Sequence, residues 1–242
     1  MAEGASEAHI LDNPVWHALR GPLSRFAASH MGPELIRFSL NFGIFSAVDQ
    51  INPEMWTRIA ELVGVKGVCV LFRDAVVPPP SGWEEEFRGP CLQMIAEDIA
   101  EPSGLEIVQL GPEDAPEMLA LATLTEPGPF FLRTPELGRY VGFRRDGQLV
   151  AMAGERFRLP GYVEISAVCT HPDARGEGLG GELTLDVAHS IRARGDQAFL
   201  HVVETNENAV RLYQKLGFVV RRKVDVVAAQ WHGPDWKPES AQ

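Results

Sequence analysis

The sequence predicts an α+β protein: a mixed, mostly antiparallel sheet flanked by helices, with a smaller N-terminal α/β unit ahead of it. Three observations carry this expectation. Residues 162–170 alternate in side-chain character beside two tight-turn signals, the pattern of hairpin-linked strands. Leu179, Leu183, Val187 and Ile191 fall four apart and so share one helix face. The turn formers Glu101-Pro102-Ser103-Gly104 interrupt two differently patterned halves, which predicts units of 1–104 and 105–242.

In the first unit, residues 53–62 read as a helix. Asn52 caps it, Pro53 takes the first helical position, and Trp56, Ile59, Ala60 and Val63 share a face. Residues 67–72 are an apolar run and read as a buried strand, 78–82 as a loop, and 83–98 as an irregular stretch followed by a helix. His9, His17 and His30 stand alone, without the spacing of metal ligands, and are expected at the surface or as caps.

In the second unit, 105–110 reads as a short strand and 112–124 as a helix whose Glu113 and Asp114 complement its N-terminus. Asp146-Gly147 is a hairpin turn between 140–143 and 149–152, and Leu159-Pro160-Gly161 makes a second hairpin into the 162–170 strand. The next helix stops at Gly195, and 197–203 is a strand. Asn206 then caps a helix with Ala209, Leu212, Tyr213 and Leu216 on one face, ended by Gly217. Strands at 218–221 and 223–231 close a βαβαββ run.

At 45% hydrophobic and 23% charged residues the composition is that of a folded globular chain, and 242 residues suffice for a substantial core. The 22 Lys and Arg against 33 Asp and Glu leave a net charge of −11, a field that repels a phosphate backbone and favours a cationic substrate. The basic clusters Arg144-Arg145, Arg192/Arg194 and Arg221-Arg222-Lys223 are short and read as solvated tips, so nucleic acid is not an expected partner. Cys69, Cys91 and Cys169 form an odd count without metal spacing; they read as reduced buried thiols, which makes the cytoplasm the expected compartment. The best apolar run, Val68 to Phe72, ends at Arg73, far short of a membrane helix. Glu3, Glu7 and His9 break any signal-peptide pattern, and no membrane partner is expected.

Arg175-Gly176-Glu177-Gly178-Leu179-Gly180-Gly181 joins a strand to a helix. Its glycines let backbone N–H groups converge on an anion, the helix N-terminus adds favourable potential, and Arg175 adds a cation; the segment reads as a pyrophosphate cradle. Packing alone explains four glycines in six positions poorly, because each weakens the element it sits in. The same residues fit a Gly-x-Gly-x-x-Gly dinucleotide fingerprint, with Glu204 as the ribose acid. Against a nicotinamide or flavin cofactor, hairpins rather than βαβ units precede the loop, and only about sixty residues follow it.

The segment Arg175 to Gly180 resembles the Arg/Gln-x-x-Gly-x-Gly/Ala signature of the GNAT N-acetyltransferase superfamily. Asn206-x-x-Ala209-x-x-Leu212-Tyr213-x-Lys215-x-Gly217-Phe218 is similar to its second signature, at the expected distance. The resemblance covers roughly residues 105–231 and implies a GNAT-like sheet in the second unit, with a degenerate GNAT-like half in the first. It implies acetyl-CoA or another short acyl-CoA as co-substrate, and no metal. The pyrophosphate would lie on Arg175, Gly176, Glu177, Gly178, Leu179, Gly180 and Gly181. Val168, Cys169 and Thr170 of the preceding strand, with Asn206, Ala209 and Tyr213 of the last helix, would line the rest of the coenzyme.

Acyl transfer from a thioester to an amine needs a neutral amine, a home for the oxyanion and a proton for the leaving thiolate. The resemblance implies a strand splayed after Ile165, with free N–H groups near Val168 facing the thioester oxygen, and Tyr213 as the acid. A core tyrosine is the plainer alternative. For the base it implies an acidic side chain, at Glu164 or at the position held by His201. An imidazole suits proton removal near neutrality, so His201 is slightly favoured over Glu164, a packing histidine being the plainer reading. Cys169 shares strand parity with Ile165 and Ala167 and is expected to point into the core, which favours direct attack over an acyl-cysteine.

The expected function is an N-acetyltransferase that moves an acetyl or short acyl group from acyl-CoA to the primary amine of a small molecule or amino-acid-like substrate. An acyl-CoA sensor or protein-interaction module without turnover is the alternative. A homodimer is compatible with either.

Overall fold

One sheet of eight strands runs through both units of the chain. The computed structural model describes residues 9–28 and 32–237; Glu3, Glu7 and His30 lie outside them. A two-stranded ribbon, β1 (Leu35–Arg37) and β2 (Ser46–Val48), stands apart from the main sheet. The main sheet holds β3 (Val68–Arg73), β4 (Trp83–Ala96), β5 (Val108–Leu110), β6 (Tyr140–Arg145), β7 (Gln148–Leu159), β8 (Tyr162–Thr170), β9 (Gln197–Val203) and β10 (Phe218–Trp231). Their spatial order is β3-β10-β4-β9-β8-β7-β6-β5, antiparallel throughout except for β8 beside β9.

The turn at Glu101–Gly104 therefore does not divide the sheet. β3 and β4 come from the first unit, and β4 lies between β9 and β10 of the second. Residues 83–96 form one long strand rather than an irregular stretch and a helix. The reason is tertiary: β10 pairs with β4 from Trp83 to Ala96 and β9 pairs with Cys91 to Ile95, and these ladders outweigh the turn-forming Gly89-Pro90. Likewise 218–231 is one strand, not two. A bulge leaves Arg221 unpaired between Val220 and Arg222, and its side chain reaches Gln93 and Asp12 of the first unit. Arg222 pairs with Asp12 and Asp74, so the two arginines of this basic cluster tie the halves together, while Lys223 stays exposed beside Glu204.

Among the described residues, five α-helices flank the sheet: α1 (Pro14–Leu19), α2 (Met55–Val63), α3 (Ala115–Thr125), α4 (Leu179–Ala193) and α5 (Glu207–Lys215). α2 starts two residues later than its sequence signals suggest, with the Asn52 side chain accepting from the Met55 N–H. It buries Trp56, Ile59 and Ala60 as expected. The Asp146-Gly147 turn has positive φ at both positions, the geometry its dipeptide favours. α4 packs over Val141, Ala151, Val163 and Ile165, while α3 packs over Tyr140, Met152 and Cys169. Adjacent residues of a strand face opposite ways, so α3 and α4 cover opposite faces.

The parity expected along 162–170 holds only as far as Ser166. Ala167 adopts φ +52°, and the β7–β8 register jumps from Gly154↔Ser166 to Met152↔Cys169. This bulge turns Ala167 and Cys169 toward α3, away from the core of Ile165. Cys169 is buried, as expected, but on the other face.

Candidate active site

β8 and β9 pair only from Tyr162↔Gln197 to Glu164↔Phe199. Beyond that point they diverge, and the main chain of β8 from Ile165 onward has no ladder partner on its β9 side. The splay and the Ala167 bulge coincide, so Val168 lies at an open strand edge where an N–H can meet an incoming oxygen.

The glycine loop closes one end of this cleft. Gly176 and Gly178 take φ +85° and +81°, a region costly for other residues, and Gly178 is the N-cap of α4. A Cβ on Gly180 would lie 3.5 Å from Thr170 Oγ1 and 3.6 Å from a Val168 methyl; one on Gly181 would lie 3.4 Å from Leu212 of α5. The loop thus sits between β8 and α5, with room for a Cβ at Gly180 and Gly181 in ordinary van der Waals contact. Arg175 is exposed, and its Nε reaches the Thr170 carbonyl at 3.4 Å. Glu177 pairs with Arg145, which offsets the one acidic charge in the loop. Asn206 Oδ1 accepts from the Ala209 N–H at 3.2 Å, capping α5.

Tyr213 is buried on α5 in the same core as Leu179 and Leu183 of α4, edge-on to Phe218. Burial, then the nearby Cys169 thiol, pushes its hydroxyl up to about 12, so it holds its proton at neutral pH. Burial also pushes the Cys169 thiol up to about 11, too high for a thiolate nucleophile near neutrality.

Glu164 and His201 meet: Oε1 of the carboxylate is 2.7 Å from Nδ1 of the imidazole. Arg156 grips both oxygens of Glu164, at 2.7 and 2.8 Å. Burial alone would raise the Glu164 carboxyl, but Arg156 and then His201 outweigh it and hold it at about 2. Gln93 completes the chain. Its Oε1 accepts from Arg221, so its Nε2 faces the Leu11 carbonyl at 2.9 Å and His201 Nε2 at 3.1 Å. A donor at Gln93 makes His201 Nε2 the acceptor, so the imidazole is neutral and donates from Nδ1 to Glu164.

Sequence reasoning found both ends of this pair and missed its supports. Arg156, Gln93 and Arg221 carry no motif, and Gln93 and His201 lie 108 positions apart. His9 caps the turn at Ile10–Asp12, and all three cysteines are free and buried. Among the described residues no group of acidic, His and Cys side chains could hold a metal ion, and no helix is long and apolar enough to cross a membrane.

Residues 140–227 match the family model described as FR47-like protein. The crystal structure of a GNAT-family protein from Novosphingobium aromaticivorans is 39% identical, spans 93% of this chain and 99% of that one, and superposes with a TM-score of 0.85. A GCN5-related N-acetyltransferase from Kribbella flavida shares the fold, at 19% identity over 90% of this chain and 94% of that one, TM-score 0.64. Mycothiol acetyltransferases from Thermomonospora curvata and Thermobispora bispora are 42% and 49% identical over 34% and 26% of this chain. This chain spans only 28% and 22% of their lengths. With near-complete coverage at 39% identity, and both signature segments joined across one cleft, the chain belongs to the GNAT family.

Proposed function

We propose that the protein transfers an acetyl group from acetyl-CoA, or a short acyl group from a related acyl-CoA, to the primary amine of a small molecule or amino-acid-like substrate. The observation that carries this reading is the splay of β8 from β9 at the Ala167 bulge, with the glycine loop at one end and α5 alongside. These residues fit the coenzyme: positive-φ glycines and a helix N-terminus suit the pyrophosphate, and the unpaired edge of β8 suits the pantetheine amides. Bound there, the coenzyme supplies the activated acyl group. The names of the mycothiol acetyltransferase relatives favour acetyl as the group transferred.

The chain's own groups then divide the work. The N–H groups near Val168 hold the charge that develops on the thioester oxygen, and Tyr213 delivers its proton to the departing thiolate. Cys169, protonated and turned toward α3, leaves direct attack by the amine as the route. Between Glu164 and His201, the imidazole is the group more cheaply freed to take the amine proton. Its Nε2 is held by one neutral amide donor, worth about 1 kcal/mol, whereas the Glu164 oxygens accept stronger bonds from a guanidinium. Glu164 orients the ring, and an incoming amine exchanges with Gln93 at Nε2.

Release of free thiol from acetyl-CoA with a panel of small amines tests the activity; coenzyme binding without turnover on any amine would support the sensor instead. Gly180→Leu fills the gap against Thr170 and Val168, and is expected to weaken acetyl-CoA binding at least ~10-fold by calorimetry without lowering the melting temperature by much. Undiminished affinity would remove the loop from the coenzyme site. For the base, His201→Ala should lower kcat/KM more than Glu164→Gln does. The reverse ranking moves the base to Glu164; no effect of either means the amine arrives already neutral.

A further inference from the structure

The bulge in β10 frees Arg221 from the ladder and brings its guanidinium to the far side of the amide that faces His201. Nη1 donates to Gln93 Oε1 at 2.6 Å, and Nη2 donates to Asp12 Oδ1 at 2.6 Å. Asp12 is itself held: the His9 N–H donates to its other oxygen, and Arg222 pairs with Oδ1. Burial would raise its carboxyl, but Arg221 and then Arg222 hold it below the usual carboxylate range, so it stays charged near neutrality and anchors the guanidinium. Gln93 has no exposed surface. Its amide oxygen therefore meets Arg221, and its amide nitrogen meets the Leu11 carbonyl and His201 Nε2.

A carboxylate beside an imidazole favours the doubly protonated, charged ring. Arg156 takes up part of that pull by pairing with Glu164. Gln93 opposes the rest, because a proton on Nε2 would face the amide N–H group, donor against donor. To accept such a proton the amide would have to turn over. Turned, its nitrogen would meet the Arg221 guanidinium and its oxygen the Leu11 carbonyl, two like contacts in place of two buried hydrogen bonds.

We propose that Arg221 is a positioning residue for acyl transfer: by fixing the Gln93 amide it keeps His201 Nε2 free of a proton, and so able to take one from the amine. The inference rests on His201 as the base. Arg221 acts through Gln93, and its own anchor is Asp12, just ahead of the first helix. Leu11, Asp12 and Gln93 thus give the N-terminal part of the chain a share in a site whose signature segments lie at 175–181 and 206–218.

The test is nitrogen NMR of the full chain, labelled at histidine, at one neutral pH, beside steady-state kinetics; loss of a signal in His201→Gln assigns it. In wild type the His201 Nε2 signal should be that of a nitrogen without a proton. In Arg221→Met the amide is free to turn, so a proton should appear on Nε2 and kcat/KM should fall about tenfold, the scale of one charge-assisted hydrogen bond. Gln93→Glu sets an acceptor against Nε2 whichever way it lies, and should do the same with a loss of ~10²-fold. Arg222→Met is the control: it removes the ion pairs to Asp12 and Asp74 but not the bond to Gln93, and should leave Nε2 bare. A protonated Nε2 in wild type, a bare one in Arg221→Met, or the same change in Arg222→Met as in Arg221→Met overturns the assignment. If Arg221→Met does not fold, a bare Nε2 in Gln93→Glu overturns it instead. A proton on Nε2 with undiminished kcat/KM leaves the hold on Gln93 standing and overturns His201 as the base.

Discussion

Tyr213→Phe is expected to lower turnover by ~10²-fold or more while changing acetyl-CoA affinity little. The hydroxyl is needed only when negative charge develops on the leaving sulfur, so its removal affects the transition state and not the bound ground state. Its high ionisation point keeps the proton available across the neutral range. The ring stays in place against Phe218, so the fold should tolerate the change. Steady-state kinetics beside calorimetry separate the two quantities. Equal turnover in both proteins would make Tyr213 a packing residue of α5.

Arg156→Leu should give the largest stability effect, about 3–5 kcal/mol, because it leaves the buried Glu164 carboxylate with the His201 N–H in place of a bidentate guanidinium. Arg156 also stacks within 4.5 Å of the Phe45 and Phe157 ring centres, contacts that leucine replaces only in part. The pH dependence should change sign. In wild type the Glu164 carboxyl is depressed from 4.5 to about 2. That contributes roughly 3 kcal/mol of stability above pH ~4.5, which is lost as pH falls toward 2. In the variant burial dominates and raises the carboxyl, so that group's stabilising contribution is present at low pH and lost as pH rises. Urea melts should therefore show the deficit of Arg156→Leu widest near neutrality and narrower in acid. A deficit independent of pH would assign the loss to the aromatic contacts.

What the sequence made legible was what is local. β8 and β9 begin and end where their patterns place them, and the helix caps at Asn206 and Gly178 are encoded within a few residues. β4 was not legible, because its breakers Gly89 and Pro90 are overruled by partners such as Val226 and Asp225, far along the chain. The side-chain direction of Cys169 escaped for a different reason: the bulge is at an alanine with positive φ, and nothing in an alanine announces that. At the proposed site, spacing marks the glycine loop, while Tyr213 is singled out only by the resemblance of its segment to the second GNAT signature. The Asp12–Arg221–Gln93–His201 chain could not, since it draws on turn, bulge and strand positions that only the sheet brings together.

The place of β10 between β3 and β4 has a bearing on how the molecule comes into being. β3 and β4 are consecutive in the chain yet do not pair with each other; each waits for the strand at Phe218–Trp231. On the ribosome both are synthesised long before that strand emerges. During that interval their edges are open to wrong partners, and the contacts that close the sheet have large sequence separation, which slows folding. Loss of the strand at Phe218–Trp231 would strip β3 of its sheet while leaving the glycine loop intact in sequence.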